Sequence, residues 1–216
     1  MDSNWAAEHL QTIRTLMERS AIYRRALAPT MLAAGAIGIG FGTLGWLGGD
    51  RTGKGTPAIY DNPKGFVFFW IGAAILGMTA ALFIVRRQAF SAAEPFWSPA
   101  TRRVAQAAFP ALLGGLALAV AALGPFPLAH STLISLWMVL YGCALHAAAF
   151  FMQRGVRWFA GLYVLGGVGA LLLQATGRLI ALDASSASLA MGLIFGAGHL
   201  LYGVYLWMTE PRNSTP

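Results

Sequence analysis

The chain has 216 residues, of which 57% are hydrophobic and only 11% charged, with a formal net charge of +7. Soluble domains carry about 25% charged residues, so this composition leaves too few to clothe a water-facing surface, and a disordered chain would be far less apolar. A single Cys and 26 Gly without a three-residue period exclude disulfide-rich and collagen-like classes, which leaves a polytopic helical membrane protein.

Residues 1–25 come before any apolar run. Trp5, Leu10, Ile13, Leu16, Met17 and Ala21 share one side of a helical wheel, while Gln11, Arg14, Glu18 and Arg25 lie opposite. Ser3 or Asn4 can cap such a helix by accepting from a free amide. The pattern predicts an amphipathic helix lying on the cytoplasmic interface, with docking to a cytoplasmic protein as the competing use. Asp2 and Glu8, with no apolar stretch before Arg25, argue against a signal peptide. Pro29 then lets the chain turn into the bilayer.

A hydrocarbon core needs about 20 apolar residues per helix. Charge-free stretches of that length run between Arg25 and Asp50, Lys64 and Arg86, Arg157 and Arg178, and Asp183 and Glu210. The stretch from Arg103 to Arg154 is long enough for two spans, divided at Gly124-Pro125-Phe126-Pro127. Six spans result, centred near Ile37, Ala74, Leu113, Tyr141, Gly167 and Phe195. No segment alternates with period two, so a β-barrel is excluded. The expected organisation is a cytoplasmic helix over 1–25, a six-helix all-α bundle over 26–209 and a short cytoplasmic tail over 210–216.

Arg14, Arg19, Arg24, Arg25, Arg86, Arg87, Arg102, Arg103, Arg154, Arg157 and Arg212 fall on one side, leaving Arg51, Lys54, Lys64 and Arg178 for the other. The positive-inside rule makes the richer side cytoplasmic and both termini internal. The net charge is thereby explained by a lipid bilayer, with no nucleic acid partner. Trp46 and Trp70 on the outer side, and Trp158 and Trp207 on the inner, sit where indoles settle at headgroup depth.

Small residues mark helix seams in lipid, because they permit close backbone approach. Gly35, Gly38, Gly42, Gly45 and Gly49 form one stripe on the first span, which suits packing within the chain or a homodimer. Gly192, Gly196, His199 and Gly203 do the same on the sixth, and Ser135, Gly142, His146, Ala149 and Gln153 on the fourth. Spans two, four and six each set an aromatic at or just before a Gly, as a hairpin repeated three times would. Gly40-Phe41-Gly42-Thr43-Leu44-Gly45 spells the dinucleotide fingerprint, but within a span and without a preceding strand it carries no such function. Gly48 to Lys54 resembles a phosphate loop, yet Gly55 occupies the hydroxyl position and Pro57 blocks the following helix.

The spans contain no Asp or Glu, which disfavours an ion-coupled pump. His146 and His199 are the candidate site: both are expected on seams, in spans running the same way, at depths that permit a shared organic ligand or haem. Cys143 lies one turn from His146, and Cys-x-x-His is a half-site for a soft metal. The competing reading makes each imidazole interhelical glue, with Tyr141, Tyr163, Tyr202 and Ser135 as partners. Ser135, Cys143 and His146 share a helix, but no oxyanion hole or orienting carboxylate accompanies them, so catalysis is not expected.

Thr12-Ile13-Arg14-Thr15-Leu16-Met17-Glu18-Arg19-Ser20, continuing through Ala21 to Pro29, and Tyr141-Gly142-Cys143-Ala144-Leu145-His146 through Phe150-Phe151-Met152 resemble two stretches of a group of small bacterial six-span inner-membrane proteins without assigned activity. The resemblance implies a bacterial inner-membrane location and supplies no reaction, cofactor or site residue. The sequence therefore points to a non-catalytic sensor or accessory subunit with an apolar ligand or cofactor pocket near His146 and His199, working beside a membrane-complex partner. The alternative is a facilitator for a small neutral solute.

Overall fold

A computed structural model describes residues 26–48, 63–91, 93, 95–124, 128–152, 154–179 and 181–209. The expected amphipathic helix over 1–25, Gly49, the Pro125-Phe126-Pro127 turn and the tail over 210–216 lie outside the described residues. Six helices follow one another: α1 (Ala26–Leu47), α2 (Pro63–Ser91), α3 (Pro99–Ala122), α4 (His130–Ala148, prolonged by a 3-10 turn over Ala149–Phe151), α5 (Arg154–Ala175) and α6 (Ala184–Thr209). Each provides a segment long and apolar enough to cross a membrane, and no strand occurs among the described residues. The chain is an all-α membrane bundle of six spans.

The helix ends follow from local chemistry. Ser98 caps α3 by accepting from the Thr101 amide at 3.2 Å, and Pro99 takes the first position, where its missing N–H costs nothing. Asp183 caps α6, accepting from the amides of Ser185 and Ser186 at 3.2 and 3.3 Å. At the end of α5, Gly177 adopts φ +68°, which lets the Arg178 amide reach the Leu173 carbonyl at 2.9 Å and the Gly177 amide reach Gln174 at 3.0 Å. A side chain at that φ would meet its own carbonyl, so glycine stops the helix here.

The tightest crossing joins the first and last helices. A Cβ at Gly35 would lie 2.6 Å from the Leu200 nitrogen, at Gly38 2.7 Å from the Gly196 Cα, and at Gly42 2.5 Å from the Gly192 Cα. Gly45 meets Ser188 and Gly203 meets Leu32 in the same antiparallel register. The expected packing role of both glycine stripes is thus realised between α1 and α6. Gly35, Gly38, Gly42 and Gly45 are thereby covered by α6 of the same chain. Ser185 completes the join by donating to the Trp46 carbonyl at 3.0 Å.

Helices α4 and α5 pair through Gly142 against Ala160 and Val164, and Gly167 against Ser135 and Val139. Helix α3 lies along α4, where the Trp137 indole N–H donates to the Gly115 carbonyl at 3.2 Å. Helix α2 leans on α1 through Phe41, whose ring stands 4.9 Å from Phe69 and 6.4 Å from Trp70. Phe68, Ile75 and Phe83 on α2, with Phe109, Leu113 and Leu116 on α3, are exposed. In water such a surface would aggregate; in hydrocarbon it is the solvated side.

Gly42→Val should lower stability by about 1–3 kcal/mol or prevent insertion-competent folding, since backbone rather than a movable side chain blocks the new methyls. Gly40, two residues away, faces open space, and Gly40→Ala should leave thermal melting in detergent unchanged or slightly raised.

Candidate functional site

His199 is 5% exposed and lies where α4, α5 and α6 converge. Its Nδ1 stands 2.5 Å from the Phe195 carbonyl, an acceptor only, so Nδ1 carries the proton and donates. Nε2 therefore bears the lone pair and accepts from the Tyr141 hydroxyl at 2.5 Å. Tyr163 donates its own hydroxyl proton to the Ile194 carbonyl at 2.8 Å, which turns an oxygen lone pair toward the His199 Nδ1–H at 3.3 Å. Every polar atom of the imidazole is engaged.

The two carbonyls belong to an irregular stretch of α6. Gly192–Ala197 is π-helical, with α-helix before it over Ala184–Met191 and after it over Gly198–Thr209. Widening the helix displaces backbone bonds from their regular partners, and such bulges persist where side chains supply replacements. Tyr163 bonds the Ile194 carbonyl, and His199 bonds the Phe195 carbonyl, which also accepts from the Gly198 amide. Glycine at 192 and 196 adds no side chain on the face pressed against α1, so the wider turn still fits there.

Aromatic rings close the cage. Tyr141 and Phe159 have centroids 5.4 Å from the imidazole and Tyr163 6.0 Å, while Phe195 packs at 5.6 Å from Tyr141 and 5.2 Å from Tyr163. Tyr202 stacks on Phe159 at 4.5 Å and 8°. Tyr202 is no partner of His199: its hydroxyl has no hydrogen bond among the described residues.

The structure separates the residues that the sequence grouped together. His146 and Cys143 are exposed, on a face of α4 away from the cage. This corrects the expectation that His146 shares a seam with His199. Gly142 and Ala149 of the same stripe are buried while His146 between them is exposed, so spacing along one helix does not by itself set burial. In the register set by Gly142 and Gly167, the position of α5 level with His146 is Trp158, itself 81% exposed. Among the described residues no three His, Cys, Asp or Glu side chains gather into a metal-binding group.

A second polar cluster escaped the sequence reading. Gln174 on α5 accepts from the Thr132 hydroxyl at 2.8 Å and donates to the Ser135 hydroxyl at 2.9 Å and to the Ser131 carbonyl at 3.3 Å. Its signal was a lone amide inside an uncharged span. His130, beside this cluster at the start of α4, bonds to the Leu182 carbonyl through Nδ1 at 3.3 Å and meets the Phe66 ring edge at 4.7 Å. The α6 cap stands on the same end. The Asp183 carboxyl is held below the ordinary carboxylate range, first by its bond with the Ser186 side chain, which outweighs the opposing effect of burial, and further by the Ser186 and Ser185 amides.

No protein family, curated protein or solved structure matches the chain.

Two outcomes test the geometry. Tyr141→Phe removes one partner of a buried imidazole, and His199→Phe removes the imidazole itself. Each should cost about 1–2 kcal/mol, and the double variant should cost less than their sum, read as a coupling in a double-mutant cycle of thermal melts. At the other end, Asp183→Ala should cost about 1 kcal/mol and Asp183→Asn much less, because asparagine still caps. A depressed folded-state pKa means that the carboxylate's contribution is present at neutral pH and lost as pH falls through that value. The gap between wild type and Asp183→Asn should therefore close only under strong acid.

Proposed function

We propose that this chain is a non-catalytic integral membrane protein of the bacterial inner membrane, serving as a sensor or accessory subunit, with its arginine-rich end and both termini in the cytoplasm. The observation that carries this reading is the commitment of His199. An imidazole with one nitrogen donating to a backbone carbonyl and the other accepting from a tyrosine is neither a free base nor an open ligand. It is a latch. It ties α4 to α6 at a turn whose irregular backbone also depends on Tyr163 from α5.

Such a latch couples three helices to one contact. An apolar molecule with a single hydroxyl, entering from the bilayer between α4 and α6, would donate to Nε2 in place of Tyr141 and release α4 from α6. The ligand part of the proposal thus rests on His199 with Tyr141, and no longer on His146 or Cys143. The facilitator reading has less support, because rings of Tyr141, Phe159, Tyr163, Phe195 and Tyr202 occupy the space among α4, α5 and α6 where a polar path would run.

Protein extracted in mild detergent should release a small apolar molecule, detected by mass spectrometry, at close to one per chain. His199→Phe should lose it while remaining folded, whereas Tyr141→Phe, which frees Nε2, should keep it. Recovery of no such molecule from wild type, or its undiminished recovery from His199→Phe, would defeat the ligand reading. Single cysteines in a Cys143→Ala background, at Ser91 and at Arg178, test the orientation. The first should be shielded from a membrane-impermeant thiol reagent in intact cells and the second labelled.

A further inference from the structure

Exposed polar groups on a lipid-facing surface need a partner that the chain itself does not supply, and His146 is such a group. It lies within the fourth span, is exposed, and has no hydrogen bond among the described residues; its ring meets only the edge of Phe150, 5.8 Å away. The end of the helix at Phe151 is about 7 Å further along the axis, at 1.5 Å per residue. Acyl chains cannot satisfy an imidazole at the edge of the hydrocarbon, whereas a headgroup oxygen can.

What surrounds it is cationic and aromatic. The Arg157 guanidinium lies over the Phe150 ring at 4.7 Å, which fixes the charge beside the histidine. Phe150 is 63% exposed, and Trp158 lies level with His146. Helix α3 packs against the Ala149–Phe151 turn and brings the exposed Arg102 and Arg103 of its N-terminal part to the same end. Among the described residues the only carboxylate is Asp183, at the opposite end of the bundle, so no described group neutralises these charges.

We propose that this rim, formed by His146, Phe150, Arg157 and Trp158 with Arg102 and Arg103 alongside, binds the headgroup of an anionic phospholipid. The guanidinium of Arg157 pairs with the phosphate, as arginine forks do. His146, one turn from Phe150, hydrogen-bonds the ester or glycerol oxygens, and Trp158 occupies the same layer, where indoles are favoured. Charge alone would suit any anion. The exposed rings of Phe150 and Trp158 select an amphiphile, because acyl chains cover them and a soluble phosphate leaves them bare. The site is separate from the His199 cage and stands or falls without it.

The test is a titration of purified protein in uncharged detergent with phosphatidylglycerol, followed by thermal melting and by counting retained lipid in native mass spectrometry. Phosphatidylglycerol should raise the melting temperature saturably, whereas phosphatidylcholine or inorganic phosphate should not. Arg157→Gln should weaken the half-saturating concentration about fivefold, the effect of one charge near an anionic headgroup. His146→Leu should weaken it roughly threefold, as for one lost hydrogen bond. Arg178→Gln, at the opposite end, should titrate as wild type, and Arg157→Lys should keep part of the binding. Both rim residues are exposed, so the lipid-free melts of these variants should match wild type. Unchanged titration by Arg157→Gln and His146→Leu, equal stabilisation by phosphatidylcholine, or the same shift from inorganic phosphate alone would overturn the proposal.

Discussion

A hydrogen-bonding group buried in a membrane bundle has no water to return to, and this constraint organises the α4–α5–α6 interior. The imidazole of His199 is tolerable there because both its nitrogens are used, one on its own helix and one on a neighbour. The same constraint accounts for Tyr163, whose hydroxyl satisfies a carbonyl in the widened turn of α6, and for Gln174, whose amide spends both its oxygen and its nitrogen on α4. Individual hydrogen bonds of this kind contribute only about 0.6 kcal/mol on average in membrane proteins. Their larger effect is directional. An apolar crossing can slide, whereas a tyrosine bonded to one imidazole nitrogen cannot.

The cage in turn relies on a contact built mainly from glycine backbone. Helix α6 can sit beside α4 and α5 only while its other face lies almost backbone to backbone on α1, and glycines at 38, 42, 192 and 196 are what allow that approach. Close approach replaces the hydrophobic effect, which gives helices no preference for one another over lipid tails. Two kinds of interaction thus hold α6 from opposite sides: dispersion over a smooth glycine surface, and directional bonds within a ring of aromatics. Helices α2 and α3 take little part in either and offer most of their side chains outward.

The sequence carried the span count plainly, since charge-free length is a property of composition, and the capping Asp183 lies where an uncharged run begins, whereas α2 and α3 extend past the arginines that bound theirs. The glycine stripes were equally legible, because in lipid a run of glycines at helical spacing has few uses besides close packing. Which helix each stripe would meet was not. The site was half legible. His199 and its partners Tyr141 and Tyr163 could be named from type and position, whereas His146 was misplaced because spacing along one helix does not show which neighbours cover it. Gln174 was missed because one amide in an apolar span resembles a tolerated exception until its three partners are seen. The widened turn left no local trace apart from two glycines that already had another explanation.

That turn sets the phase of everything after it. A π stretch holds more residues in its length than an α-helix would, so Gly198 to Thr209 is rotated relative to a regular continuation of Ala184 to Met191. Removing one residue between Gly192 and Ala197 would restore ordinary winding with the following segment in nearly its present orientation, because five residues at about 100° turn almost as far as six in the wider winding. His199, Tyr202 and Leu206 would keep their faces, and the irregular backbone that Tyr163 engages would be lost instead. A single deletion should accordingly be better tolerated in this six-residue window than in the regular turns on either side, where it would swing every later residue by about 100°.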